Sequence, residues 1–249
     1  MADRVLNIPD EPKEANYIIA YIDLLGTKEK ISQGKGTKVF ENIYNAFLLA
    51  GNIMPQMKDL NYSQMKVKVF SDNIILAYPV AESLESGDVL SSYKIMISYL
   101  KFFLYILLKH NVLFRGAISI NKLMINDLIV WGEGLSEVVY LEENVAIYPR
   151  IVLSDRLTRF FKDFSFDEHL YCGELMCAID FDDCYYYDFI DYEDFEAADF
   201  LLEISFKNII EKINKETNPK VLQKYKWFKN YLDMAQIIFD EYTQHRKDL

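Results

Sequence analysis

Two aspartates in this chain stand where hard-ion chemistry could be done. Asp23 ends the apolar, strand-length run Tyr17-Ile18-Ile19-Ala20-Tyr21-Ile22-Asp23-Leu24-Leu25-Gly26. Asp72 lies in Ser71-Asp72-Asn73, between Met65–Phe70 and the apolar, β-prone Ile74–Tyr78. A carboxylate in a buried strand is costly unless it is paired or binds a cation. Two on adjacent strands would offer the oxygen ligands that suit Mg²⁺ or Mn²⁺. The plainer account of Asp72 is that it makes the turn, which Asp does well.

The elements that must position these residues follow from periodicity. Met1–Asn16 reads as a flexible tail, and Tyr17–Leu25 as the first strand. A helix is expected from Thr37, a good N-cap, to about Ala50, with Val39, Phe40, Ile43, Tyr44, Phe47 and Leu48 at helical spacing. Pro55 and Asn61 mark a loop before the hairpin that carries Asp72, whose flanking strands are expected to be buried. A long buried helix is expected over Val89–His110. Strands are expected over Val112–Ile120 and Leu123–Trp131, with a turn near Asn121-Lys122. Gly132 and Gly134 introduce a helix over Leu135–Asn144, and Arg150–Leu153 is one more strand. The order implies an α+β fold with a ferredoxin-like βαββαβ core and an added strand pair, over residues 17–154. Residues 155–249 read as a mainly helical extension. It has a short helical pattern at Arg156–Phe161, one or two acidic, aromatic strands within Cys177–Ile190, and a C-terminal helical hairpin broken at Asn218-Pro219. That hairpin would lie on the core or on a dimer partner.

Composition narrows the class. The chain has 249 residues, 51% of them hydrophobic, and a net charge of −11, which argues against nucleic-acid binding through a basic surface. Cys172, Cys177 and Cys184 form no CxxC pair and suggest a reducing compartment. No signal-peptide pattern opens the sequence, and the apolar run Ile95–Leu108 is too short for a membrane span. The expectation is a cytoplasmic protein with no membrane association. His110, His169 and His245 are scattered and read as surface or helix-end residues.

The strand order, with one Asp closing the first strand and another in the following hairpin, resembles the catalytic domain of class III nucleotidyl cyclases. The segments Phe114-Arg115-Gly116-Ala117-Ile118-Ser119 and Pro149-Arg150-Ile151-Val152-Leu153-Ser154 extend the likeness over roughly Tyr17–Ser154. The resemblance implies a metal site of two Mg²⁺ or Mn²⁺ ions on Asp23, Asp72 and the carbonyl of Leu24. It implies a base-reading Lys68, and triphosphate contacts from Arg115 and Arg150. It also implies a homodimer with shared active sites. In that dimer Asp23, Asp72 and Arg115 come from one subunit, and Lys68, Ser136, Tyr140 and Arg150 from the other. Plainer accounts exist: surface ion pairs for Arg115 and Arg150, a solvated edge for Lys68, and a core position for Tyr140.

The departures from the pattern are specific. Ile129 stands where the family reads adenine with Asp, Ser136 where it has a transition-state Asn, and Tyr140 where it has a transition-state Arg. With Phe70-Ser71-Asp72-Asn73-Ile74 and Tyr140-Leu141-Glu142-Glu143-Asn144-Val145, the chain most resembles the pyrimidine cyclases of the bacterial Pycsar anti-phage system. That implies UTP or CTP as substrate, cyclic UMP or cyclic CMP as product, and an effector activated by the product. The alternatives are a degenerate domain that binds a nucleotide without turnover, a purine cyclase, and a non-enzymatic protein that interacts through its C-terminal helices.

Overall fold

The computed structural model describes residues 11–53, 62–161, 171–172 and 175–247. The chain runs β1 (Ala15–Leu24), α1 (Thr27–Ser32), α2 (Gly36–Ile53), β2 (Lys66–Phe70), β3 (Asn73–Pro79), α3 (Ser86–Lys109), β4 (Phe114–Ile125), β5 (Val130–Trp131) and α4 (Glu133–Asn144). It continues through β6 (Ile151–Leu153), α5 (Asp155–Thr158), β7 (Tyr171–Cys172), β8 (Cys177–Ile179), β9 (Tyr185–Tyr187), α6 (Phe195–Lys215) and α7 (Pro219–Lys247). The fold is α+β, as the sequence implies. Most of the expected tail, residues 1–10, and the Pro55–Asn61 loop lie outside the described residues, as does His169; Ala15 and Asn16 already belong to β1.

One sheet has the order β2-β3-β1-β4-β6-β9-β8-β7, with β5 paired to β4. β1 is its centre, antiparallel to β3 on one side and β4 on the other. That position explains why Ile18, Ile19, Ala20 and Ile22 are fully buried: a central strand has both faces covered. β4 presses unusually close to β1. A Cβ on Gly116 would lie 2.2 Å from the Tyr21 carbonyl oxygen, so only glycine fits beside Arg115. α4 covers one face, packing Val138 against Ile19, Tyr21, Ile75 and Ala117. Here Gly134 permits the contact, since a Cβ there would meet Ile19 Cδ1 at 2.2 Å. On the other face α3 buries Tyr93, Met96, Leu100, Phe103 and Leu107 in the main core. By length and composition α3 could cross a membrane, but 56% of its apolar window is buried inside the protein.

The structure departs from the sequence expectations in four places. β4 is a single strand through Asn121-Lys122; the turn comes at residues 126–129, where the Asn126 side chain accepts from the backbone N–H groups of Leu128 and Ile129. β1 is long enough to pair as far as Ala15↔Leu123, which holds β4 straight. β2 is an exposed edge strand, with Val67 36% and Val69 46% exposed. Along α2, Ile43 and Ala46 are buried, but Phe40, Tyr44 and Leu48, at four-residue intervals, face outward. Lastly, the expected boundary at Ser154 is not an edge of the sheet, because β9 pairs with β6 at Val152↔Tyr186. α6 packs on α3 of the same chain and α7 packs on α6, with Leu201, Leu202, Phe228 and Leu232 joining the main core.

Candidate active site

The neighbouring ends of β1, β3 and β4 bring Asn73, Asp23 and Arg115 into one row. The register sets Asp23 opposite Asn73 on one side and opposite Arg115 on the other. Directly opposed residues project from the same face of a sheet. Arg115 Nε donates to Asp23 Oδ2 at 3.2 Å. Arg115 Nη2 lies 2.6 Å from Glu142 Oε1, close enough for an ion pair though off the direction of a hydrogen bond. Tyr21, two residues back on β1, donates its hydroxyl to Asn73 Oδ1 at 2.7 Å.

Asp72 reaches the same end of the sheet by a different route. Ser71 takes a left-handed backbone conformation, φ 58°, which turns the chain sharply into β3. The Leu24 N–H then donates to the Asp72 carbonyl at 3.0 Å, clamping the end of β1 to the turn. The two carboxylates leave this clamp toward different partners. Asp23 meets Arg115, whereas Asp72, only 6% exposed, takes the Thr27 hydroxyl at the start of α1, 2.7 Å from Asp72 Oδ2.

Charge in the cluster is only partly balanced. Burial pushes the Glu142 carboxyl up to about 7; Asp23 and Glu143 push the same way and Arg115 opposes them. Burial, followed by the fields of Glu142, Asp23, Glu143 and Asp72, raises the Tyr21 phenol to about 12. Lys224 on α7 is pulled below the usual lysine value, first by burial and then by Arg115. The C-terminal helix therefore reaches the electrostatic environment of the sheet ends.

The donor set suits a hard divalent ion. Thr27 Oγ1 lies 2.7 Å from Asp72 Oδ2 and 3.0 Å from the Leu24 carbonyl. One hydroxyl proton is thus offered to two acceptors, so oxygens outnumber protons at this point. Among the described residues no three His, Cys, Asp or Glu side chains are grouped to hold an ion. The protein would supply a few oxygens only, with water or phosphate completing the shell, as Mg²⁺ commonly requires.

The other expected residues are distributed as follows. Lys68 on β2 donates to the Asp127 carbonyl at 2.5 Å, which brings it beside the turn that holds Ile129. Ser136 and Tyr140 lie exposed on α4, Tyr140 at 62%, so Tyr140 is no core residue. Arg150 departs from its expected role. Its side chain has no exposure and its guanidinium is held by Asp180 and, bidentately, by Asp182 from the β8–β9 connection. The rings of Tyr148 and Trp227 flank it. Arg150 ties the extension to the core, and in this arrangement its guanidinium has no access to a substrate.

Glu142, Thr27 and Lys224 were not legible as site residues. Glu142 had one signal. Gly134, Val138 and Glu142 recur at four-residue spacing on the buried face of α4, so a carboxylate continues an apolar stripe. Thr27 and Lys224 gave no such mark.

No protein-family model matches the chain, and no curated protein matches it. Among solved structures it is similar to the adenylyl cyclase CyaB from P. aeruginosa, at 13% identity over 61% of this chain and 83% of that one, with a TM-score of 0.46. It is similar to the monomeric guanylyl cyclase domain of the RhoGC fusion protein from Blastocladiella emersonii, at 11% identity over 71% and 97%, TM-score 0.47. It is also similar to a class III adenylyl cyclase-like ATP-binding protein from Pseudomonas aeruginosa, at 12% identity over 84% and 47%, TM-score 0.49.

Proposed function

We propose that this protein is a nucleotidyl cyclase. It would convert UTP or CTP to the 3′,5′-cyclic monophosphate and pyrophosphate, as the signal synthase of a cytoplasmic anti-phage system whose effector responds to the product. The observation that carries the cyclase reading is the clamp between Leu24 and Asp72. It sets Asp72, the Leu24 carbonyl and Asp23 at one end of the sheet, with Arg115 directly opposite Asp23. The pyrimidine and defence assignments rest on the sequence resemblance alone.

The reaction joins the ribose 3′-oxygen to the α-phosphorus as the bond to pyrophosphate breaks. Asp23, Asp72 and the Leu24 carbonyl are the residues that would hold Mg²⁺ or Mn²⁺. Such an ion activates the attacking oxygen and offsets triphosphate charge. Arg115 can offer its guanidinium to phosphate oxygens by turning from Asp23, since Arg binds either anion through paired N–H groups. Thr27 keeps Asp72 oriented. Lys68 and the turn at Ile129 form a second group on the surface, with Ser136 and Tyr140 exposed on α4. Leu128, Ile129, Trp131 and Tyr140, all at least 45% exposed, supply apolar area there. We infer a homodimer in which this surface meets the Asp23–Asp72 end of a second copy.

A second reading has its own support. Arg150 is committed to Asp180 and Asp182, and Ser136 and Tyr140 carry neither the amide nor the guanidinium expected at their positions. A domain that binds a nucleotide without turnover fits those facts. One experiment separates the two: incubate the protein with Mn²⁺ and each of the four ribonucleoside triphosphates and resolve cyclic products by chromatography. Cyclic UMP or cyclic CMP as the main product supports the proposal. Cyclic AMP in excess would overturn the pyrimidine assignment. Saturable binding with no product would establish the second reading.

A further inference from the structure

On this acidic chain one cleft gathers positive charge. It has a volume of about 520 Å³ and lies between the core and the tip of the C-terminal helical hairpin. Lys35 comes from the α1–α2 connection, Lys38 from α2, and Lys212 and Lys215 from the last turn of α6. His110 follows α3, and among the described residues Glu216 is the only acidic one of the lining. The chain as a whole carries −11, so this convergence from separate elements runs against the composition.

Lysines in the last turn of a helix also have a plainer use, since they complement the carbonyl end of the helix. That accounts for Lys212 and Lys215 but not for Lys35 and Lys38. Two of the four have glutamate neighbours on their own helices, Lys38–Glu41 at 3.3 Å and Lys215–Glu211 at 3.4 Å, all widely exposed. Such pairs contribute little and are easily exchanged for a better anion. Burial, Lys109 and Lys38 together hold the His110 imidazole below its ordinary value.

A second observation points to a ligand. Asn42, on α2 one turn after Lys38, is 92% buried, lines the cleft, and its Oδ1 accepts no hydrogen bond. Asn111, just after α3, also lines the cleft and has a buried Oδ1 without a donor. Unmet polar atoms of this kind are costly unless something fills the site. The floor includes Leu25 and Gly26, the two residues that lead out of the Asp23-Leu24 strand end.

We propose that this cleft binds a compound with two or more linked phosphates, separately from the candidate active site. The lysines take the phosphate oxygens, and the two amide side chains, whose oxygens are buried as they stand, turn into the cleft to accept from hydroxyl or amino groups. A nucleotide satisfies both requirements and pyrophosphate satisfies the first. Occupancy would draw the α6–α7 tip toward the loop after Asp23, so the ligand would act as an effector of that end of the sheet.

The test is titration calorimetry of the full chain in EDTA with UTP, pyrophosphate and orthophosphate, each at low and high salt. Wild-type protein, Lys35→Ala/Lys215→Ala, Lys38→Ala, Arg115→Ala and the control Lys207→Ala, on α6 outside the cleft lining, are compared, with circular dichroism to confirm folding. Losing two charge-assisted contacts should weaken binding at this site by about tenfold or more. Arg115→Ala and Lys207→Ala should leave that binding event in place. UTP binding tighter than pyrophosphate identifies a nucleotide ligand; equal affinities identify the diphosphate group alone, and both support the site. Binding that Arg115→Ala abolishes but the lysine variants leave unchanged would overturn the proposal. So would orthophosphate binding as tightly as pyrophosphate, the mark of diffuse charge rather than a built cleft.

Discussion

Asp23 and Arg115 face each other across the β1–β4 register and are joined by a 3.2 Å hydrogen bond from Nε to Oδ2. The pair is about one-fifth exposed on each side, so solvent and substrate can compete for both partners. Arg115 therefore links the acidic cluster to whatever anion arrives. Removing it should raise KM for the triphosphate more than it alters the fold. Arg115→Lys keeps the charge but loses the bidentate fork, so steady-state kinetics should show only partial rescue.

Asp72→Asn should abolish metal-dependent turnover while the protein stays folded. The amide keeps a carbonyl for the Thr27 hydroxyl but loses the charge an ion needs. Thermal melts paired with product assays check this. Full activity of Asp72→Asn with unchanged Mn²⁺ dependence would remove Asp72 from the site.

Glu142 makes a pH prediction. Its carboxyl titrates near 7 in the folded protein, mainly because it is buried, against 4.5 for an ordinary glutamate. Between those values the folded state holds more protons than the unfolded state. Stability from this group is therefore fully present below about 4.5 and is lost as pH rises through 7. Glu142→Gln should flatten that decline, and melting temperatures of both proteins from pH 5 to 8 should diverge most at the alkaline end. Parallel curves would show that Glu142 is charged throughout.

Arg150 should matter to stability rather than to catalysis. Arg150→Ala leaves Asp180 beside a buried gap, whereas Asp182, about a third exposed, can turn to water, so the loss should fall below the roughly 3–5 kcal/mol of a fully buried pair. The hydrogen bond from Arg150 also holds the Asp182 carboxyl below its ordinary value. That part of the stability is present above the unfolded carboxylate pKa and disappears as pH falls through the lower folded one. Urea unfolding at pH 7 and pH 3 should show a large loss at the first and a smaller one at the second.

Subunit complementation tests the shared-site homodimer. Asp72→Asn mixed with Lys68→Ala, each impaired alone, should form mixed dimers with one intact site, regaining up to about half of the activity per dimer. If subunits exchange and no activity returns, Asp72 and Lys68 serve the same chain.

The strand ends were the legible part of this protein. Asp23 and Asp72 stand out because one closes an apolar run of strand length and the other sits in the turn that opens onto a second such run. The long helix α3 was legible for the same reason, as an apolar run of helical length. The roles of Arg150 and Glu142 were not. Each depends on residues brought near by topology, Asp180 and Asp182 in one case and Arg115 in the other, and no local pattern reports such a meeting. The β4–β5 turn was misplaced because Asn121-Lys122 carries turn chemistry, yet pairing with the full length of β1 outweighs it. Phe40, Tyr44 and Leu48 have helical spacing, but spacing alone does not say which side of α2 the core occupies.

The pairing of β6 with β9 has a consequence for any shortened version of the protein. A chain cut after Ser154 would lose the strand that lies along β6 and would display a row of bare amide and carbonyl groups. Arg150, just before that edge, would at once lose both its carboxylates. Such a fragment should gather into ribbons by zipping one copy's raw border onto the next, a fate that the uncut chain avoids by folding its own later segment into that place.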